Sequence, residues 1–229
     1  AANSDVTLNS ANDLGSVAPV FTGTRSNFRD VYLRNINNDA QSPTFSTFSN
    51  LRNLSLEFNN SAMVLPMITL HSGGNFIAIA GGAVTQSGPL TIPGTTSVSA
   101  GANTISLSQI NQLHGEVTLA NSGANNVSVT NGTNLIFAVS TVGHDLTVTS
   151  SGSVTQTGIL TVPGKSAFNS GTNPITLTSN NLFTGSISCS NSGAHDITIK
   201  NTLATVIGSV AAGRNVALSS GGTISQSEP

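Results

Sequence analysis

Apolar and polar residues alternate along most of this chain, in short runs set off by Gly, Asn and Pro. Asn103-Thr104-Ile105-Ser106-Leu107, Asn126-Val127-Ser128-Val129 and Asp145-Leu146-Thr147-Val148 put an aliphatic residue at every second place, with polar residues between. The arrangement returns at Pro174-Ile175-Thr176-Leu177, Asp196-Ile197-Thr198-Ile199 and Asn215-Val216-Ala217-Leu218. A period of two is that of a half-buried strand, whose successive side chains point to opposite faces. Helical periodicity is absent. The chain reads as all-β.

The strands are organised in a long repeat. Ala83–Gly152 is followed at once by a second copy, Ser153–Gly222, and a third begins at Thr223; the signature is Val84-Thr85-Gln86, Val154-Thr155-Gln156, Ile224-Ser225-Gln226. Roughly 22 of about 70 positions are identical without a gap, and a fixed period of this kind marks a repeat architecture. The strands lie about 20 to 29 residues apart, near the length of one coil of a parallel β-helix. Three coils per long repeat are therefore expected, nine or ten in all, with Gln86, Gln156 and Gln226 stacked every third coil. Pro93-Gly94 and Pro163-Gly164 each follow an apolar strand end. They predict type II turns, with proline setting the first central residue and glycine supplying a positive φ. Asn121-Ser122-Gly123-Ala124 and Asn191-Ser192-Gly193-Ala194 mark another corner. The chain divides into divergent coils at 1–82, long repeats at 83–152 and 153–222, and the start of a further coil at 223–229.

The first division departs from the repeat. Asp5-Val6-Thr7-Leu8 resembles a later strand, but Val6 stands too far from Ile105 for one repeat, so an extra coil or loop is inserted; a side loop near Asn38–Phe48 fits. Arg25, Arg29, Arg34 and Arg52 are four of the chain's seven basic residues, and five of nine Phe fall within Phe21–Phe58. Arg25, Arg29, Arg34, Arg52, Phe21 and Phe28 form the candidate interaction surface.

Composition narrows the function classes. Charged residues make up 7%, against roughly a quarter in ordinary soluble domains. A net charge of −2 gives no reason to expect nucleic acid or an anionic membrane as partner. The single cysteine, Cys189, excludes an internal disulfide and reads as a small core residue in the slot of Leu119. No apolar run approaches the roughly 18 residues of a membrane span. Ala1-Ala2-Asn3-Ser4 carries no basic or apolar leader pattern, so a secretion signal is expected outside this sequence.

The run Thr155-Gln156-Thr157-Gly158-Ile159-Leu160-Thr161-Val162-Pro163-Gly164, followed by Thr176-Leu177 and Asn191-Ser192-Gly193-Ala194, resembles the repeat of filamentous-haemagglutinin-like, two-partner-secreted exoproteins of Gram-negative bacteria. The likeness covers most of Ser72–Pro229. It implies a right-handed single-stranded parallel β-helix, a secreted or cell-surface location, and the company of adhesins, toxin-delivery stalks and structural exoproteins. Asn173-Pro174 lies inside a repeat and does not serve as that family's secretion motif.

Candidate chemistry is sparse. His144-Asp145 and His195-Asp196 sit at turns but at different repeat positions, and neighbours on a strand face opposite ways, so both read as polar turn residues. His71 and His114 lack the three or four converging ligands of a zinc site. Glycoside cleavage needs two carboxylates on neighbouring coils; Glu116, Asp145, Asp196 and Glu228 are not in register, and Asp5, Asp13, Asp30 and Asp39 fall in separate turns. Calcium-binding nonapeptides are absent, and Ser/Thr rows such as Thr147/Thr149 are interrupted by Lys200 and Ala217, against an ice-binding face. No catalytic, cofactor-binding or metal site is expected. The expectation is a non-enzymatic extracellular β-solenoid, a shaft segment of a large adhesive exoprotein; its rival is a filament subunit stacking head to tail. Ile224, Ser225 and Gln226 are the candidate stacking end. Partners are neighbouring solenoid chains or further coils of a longer protein, together with a host or surface ligand.

Overall fold

A computed structural model describes residues 4–227, and its strands wind into a parallel β-solenoid. One ladder runs through Ser4–Leu8, Phe28–Arg34, Asn53–Phe58, Phe76–Ala80, Thr96–Ser99, Glu116–Ala120, Leu135–Phe137, Val154–Gln156, Ile175–Phe183, Ile197–Asn201 and Val216–Ser220. A second runs through Met63–Leu65, Val84–Gln86, Ile105–Leu113, Val127–Asn131, Leu146–Ser150, Ser166–Asn169, Ser186–Ser190, Thr205–Ala211 and Ile224–Gln226. The one helical element among the described residues is a 3-10 turn, Arg25–Asn27. The inward residues of both ladders form a single core, in which each buried Leu, Ile or Val contributes about 1.5–3 kcal/mol.

The count of turns differs from expectation. The first ladder has eleven rungs, where nine or ten coils were predicted. At about 4.8 Å per rung the rod is about 50 Å long. Val6 pairs with Val31 and Leu135 with Val154, so a turn takes 19 to 25 residues, fewer than the predicted upper spacing.

The repeat is also not three coils. From Val84 to Ser150 the chain visits seven sides of the rod: the second ladder at Val84–Gln86, the first at Thr96–Ser99, then Ile105–Leu113, Glu116–Ala120, Val127–Asn131, Leu135–Phe137 and Leu146–Ser150 in alternation. Seven sides are three and a half turns. The next copy, opening at Val154–Gln156, therefore begins on the opposite ladder. Gln86 and Gln226 lie on the second ladder and Gln156 on the first, so the three do not form one column. Every strand of one copy has its counterpart across the core in the next.

Two kinds of side make up a turn. Plain sides are single short strands such as Leu146–Ser150. Kinked sides are longer and broken in the middle, as in Val84–Gln86 with Leu90–Ile92, or Ile105–Leu113, whose register slips between Leu107 and Asn111. The equivalent slip falls between Leu177 and Asn181. A slipped strand strands backbone groups inside the protein, and these need partners. Asn111, fully buried, supplies them. Its Oδ1 accepts from the Leu90 N–H at 2.9 Å and the Gln86 Nε2 at 2.8 Å, while its Nδ2 donates to Thr130 O and to Gln86 Oε1. Asn181 repeats the set with Leu160 N–H, Gln156 and Lys200 O. Gln86 and Gln156 of the signature are thus each half of an amide pair bridging adjacent turns.

At the strand entrances a second device stacks side-chain oxygens on backbone N–H groups. The Asn53 N–H donates to Asp30 Oδ1, Asn75 N–H to Asn53 Oδ1 and Thr95 N–H to Asn75 Oδ1, at 3.1, 3.1 and 2.8 Å. The Pro-Gly corners belong to the same region, but not as predicted. Gly94 and Gly164 are not among the positive-φ glycines, so these are not type II turns. Glycine is required because successive turns nearly touch: a Cβ on Gly94 would sit 2.7 Å from Gly74 O, and one on Gly164 2.7 Å from His144 O. The need is for space between turns.

Candidate interaction surface

The side loop leaves the rod after Phe28–Arg34 and returns at Asn53–Phe58. It is anchored by rings. Phe45 and Phe48 are buried, and Phe48 meets Phe21, Phe28 and Phe45 with centroids 5.5 Å away in each case. Phe21 and Phe28 are half-buried and pack on the core. These two rings are therefore mainly cluster members with one edge outward.

Each of the four arginines is engaged within the chain. Arg25 donates to Phe21 O and Thr47 Oγ1, pinning the loop. Arg29 reaches Asp5 at 2.8 Å and Asp30 at 3.1 Å. Arg34 pairs with Glu57 at 3.3 Å and donates to Asn59 Oδ1. Arg52 grips both oxygens of Asp30, at 3.1 and 2.7 Å. Asp30 is buried and also accepts from the Asn53 N–H and Nδ2. Burial pushes its carboxyl up, but hydrogen bonds from Arg52 and the Asn53 N–H, with the charges of Arg52 and Arg29, outweigh this and hold it below the usual carboxylate range. Arg29, Arg34 and Arg52 thus tie turn to turn while keeping one flank in solvent. Composition made the cluster visible; their acidic partners on neighbouring turns needed the register.

Beside the loop lies a cleft of about 510 Å³, lined by Phe45, Phe48, Met67, Leu70, His71 and several serines. The other depressions described are smaller, about 170–240 Å³. The overhanging loop creates this concavity on an otherwise smooth rod.

Other candidates lie apart. His144 and Asp145 do meet: Nδ1 is 3.1 Å from Asp145 Oδ1 and 3.2 Å from Asn126 Oδ1. Both precede Leu146–Ser150 and lie outside any strand, so the opposite-face rule for strands does not apply. Asp196 is instead gripped by Arg214 at 2.7 Å through both oxygens, which holds its carboxyl down at about 2. Cys189 is buried between Phe168 and Val210, and burial pushes its thiol up to about 12. Among the described residues no three or more His, Cys, Asp or Glu gather as metal ligands, and no helix is long and apolar enough to cross a membrane. Glu228 lies outside the described residues.

Ile224, Ser225 and Gln226 pair with Thr205, Val206 and Ile207 and are exposed. Val84 and Val154, at the repeat position of Ile224, are buried between two turns. Ile224 has one neighbouring turn among the described residues and is 58% exposed. Any last rung of a parallel ladder shows this, whichever chain supplies the next one.

Residues 51–120 and 124–190 each match the model of a family described as repeats of unknown function (DUF5649). No curated protein and no solved structure matches the chain.

Proposed function

The chain belongs to the DUF5649 repeat family, and on that footing we propose that it is a rigid, non-enzymatic shaft segment of a large secreted or cell-surface exoprotein that mediates attachment. The observation that carries this reading is the parallel pairing of turn on turn over eleven rungs. Such a rod resists bending, and each turn is stable only through its neighbours. The surface supports the same view: it has few carboxylates, and those described are spent on internal partners or stand alone. Kinship with filamentous-haemagglutinin-like exoproteins, and the right-handed sense that goes with it, belong to this proposal.

Attachment falls to the one region that departs from the smooth rod, the side loop with its cleft and the outer flanks of Arg25, Arg29, Arg34 and Arg52. Bacterial cells displaying the chain would be scored for adherence to host-cell and abiotic surfaces. The controls are an unrelated β-solenoid of equal length and the variant Arg25→Ser. Adherence above the unrelated rod, reduced by Arg25→Ser, is expected. Adherence equal to the unrelated rod sinks the adhesive part of the reading, while electron micrographs of round particles instead of short rods sink the shaft.

A further inference from the structure

Apart from Ile77 and Ile79 on the plain strand Phe76–Ala80, the aliphatic side chains exposed along the middle of the shaft line up on the kinked sides. On the second ladder Ile68 pairs with Leu90, and Thr91 with Gln112. Met67, Pro89 and Ile110 therefore stand above one another on three successive turns, all exposed; Met67 is 48% and Ile110 69% exposed. On the first ladder Ser140 pairs with Leu160, and Thr161 with Leu182. This brings Val139, 63% exposed, directly below Ile159, 38% exposed, with Leu182 beside them. The rows are tightly seated: a Cβ on Gly88 would come within 2.9 Å of the Met67 Cβ, and one on Gly158 within 2.7 Å of the Val139 Cα. Pro89 and Ile159 occupy the same repeat position. The half turn left over by each repeat is what carries the ridge from one side of the rod to the other.

Almost no charge surrounds these ridges. Between residues 59 and 195 only Glu116, Asp145 and Lys165 are charged. Monomeric β-proteins keep copies of themselves apart with Lys, Glu and Pro on exposed sheet surfaces, and near-neutral surfaces favour association. A charged partner finds nothing here to pair with. A second copy of the same neutral surface meets no repulsion and leaves no charge desolvated, while apolar rows that face water on one copy are covered by the other.

We propose that the two ridges are contact surfaces for further copies of this chain, so that rods lie side by side. With ridges on opposite sides, a rod held by one neighbour still presents its second ridge, and lateral growth continues instead of closing at a dimer. Met67 also lines the cleft beside the side loop, so the second-ladder ridge borders the proposed attachment region, while the Val139 and Ile159 ridge lies apart from it.

The test is sedimentation velocity with negative-stain electron microscopy on the 229-residue chain and on three variants: Met67→Lys with Ile110→Lys, Val139→Lys with Ile159→Lys, and all four together. The unaltered chain is expected to form concentration-dependent species larger than dimers, seen as rods in parallel contact. Each two-site variant should give nothing larger than a dimer, and the four-site variant should be monomeric. All four side chains are exposed, so the β circular-dichroism spectrum should persist, and hydrogen exchange of the core amides confirms the fold where association changes. An unaltered chain that stays monomeric at its solubility limit overturns the proposal. So does a four-site variant that keeps the original size distribution, or growth seen only as longer rods of unchanged width.

Discussion

The first three turns and the repeat shaft solve one problem in two ways. Wherever a strand enters or slips, backbone groups lose their ladder partners and need side chains instead. In the first turns the central acceptor is an ion: Asp30, buried, receives the Asn53 N–H and is neutralised by Arg52 and Arg29. In the shaft the central acceptor is a neutral amide, Asn111 or Asn181, neutralised by nothing and paired with a glutamine of the adjacent turn. The buried ionic solution needs two arginines from different turns; its exposed counterpart in the shaft, Asp196 accepting from the Asn215 N–H, is held by Arg214 alone. The amide solution carries donor and acceptor in one side chain, so it can be copied every repeat without accumulating charge.

The amide should be the costlier to remove. Replacing Asn181 by Ala removes the acceptor of the Leu160 N–H and the donor to Gln156 Oε1, while Gln156 Nε2 keeps Gly158 O, at about 1–3 kcal/mol for each stranded group. The expected outcome is loss of roughly 3 kcal/mol, read as at least a hundred-fold faster hydrogen exchange at Leu160. An exchange rate within a few-fold of the unaltered chain would mean that water replaces the side chain and that the kink is not sealed. Replacing Asp30 by Ala should cost about 2 kcal/mol, because Arg52 is partly solvated and recovers some hydration. That loss should stay in the turns containing Asp5, Asp30 and Asn53. Equal loss of protection across 83–222 would show that the two regions melt as one unit.

The alternation in Leu146-Thr147-Val148 and its fellows was sufficient to read an all-β solenoid, and the 22 coincidences at one period were sufficient to read a repeat. The number of turns was hidden for a physical reason. The strands recognised in the first copy, at Ile105, Val127 and Leu146, all lie on the second ladder. Of those between them, Thr96–Ser99 and Leu135–Phe137 are only four and three residues long, too short to show a period of two, and Glu116–Ala120 opens on a charge. An odd number of sides per repeat is invisible unless both ladders are counted. A usable signal was present in the near-equal steps from Val84 to Ile105, Val127 and Leu146, which divide the repeat unevenly. Gly94 misled for a different reason: a Pro-Gly pair signals a turn, but whether glycine serves φ or clearance depends on the turn below. At the interaction surface, arginine clustering was legible from composition alone, whereas Asp5, Asp30 and Glu57 as their partners depend on which residues fall one turn apart.

Acid separates the two regions further. Asp30 titrates below its ordinary 3.8 in the fold, so its stabilising contribution is fully present above that range and disappears as the pH falls through the folded value. Amides do not titrate there. As the pH falls below about 4, exchange protection near Asp30 should fall while that of Leu90 and Leu113, held by Asn111 and Asn131, persists. Simultaneous loss would remove the ionic site as the cause. The smallest effect is expected at Asp196, an ion pair on the outside of the shaft. Both it and Arg214 are well exposed, water screens the pair, and exposed pairs contribute little to stability. Arg214→Ser should leave the thermal midpoint unchanged while the Asp196 carboxyl, followed by NMR, returns from about 2 towards 3.8. A lowered midpoint with an unmoved titration would place the role of Arg214 in packing its side chain against the corner below, and would make this corner resemble the first turns more than the shaft.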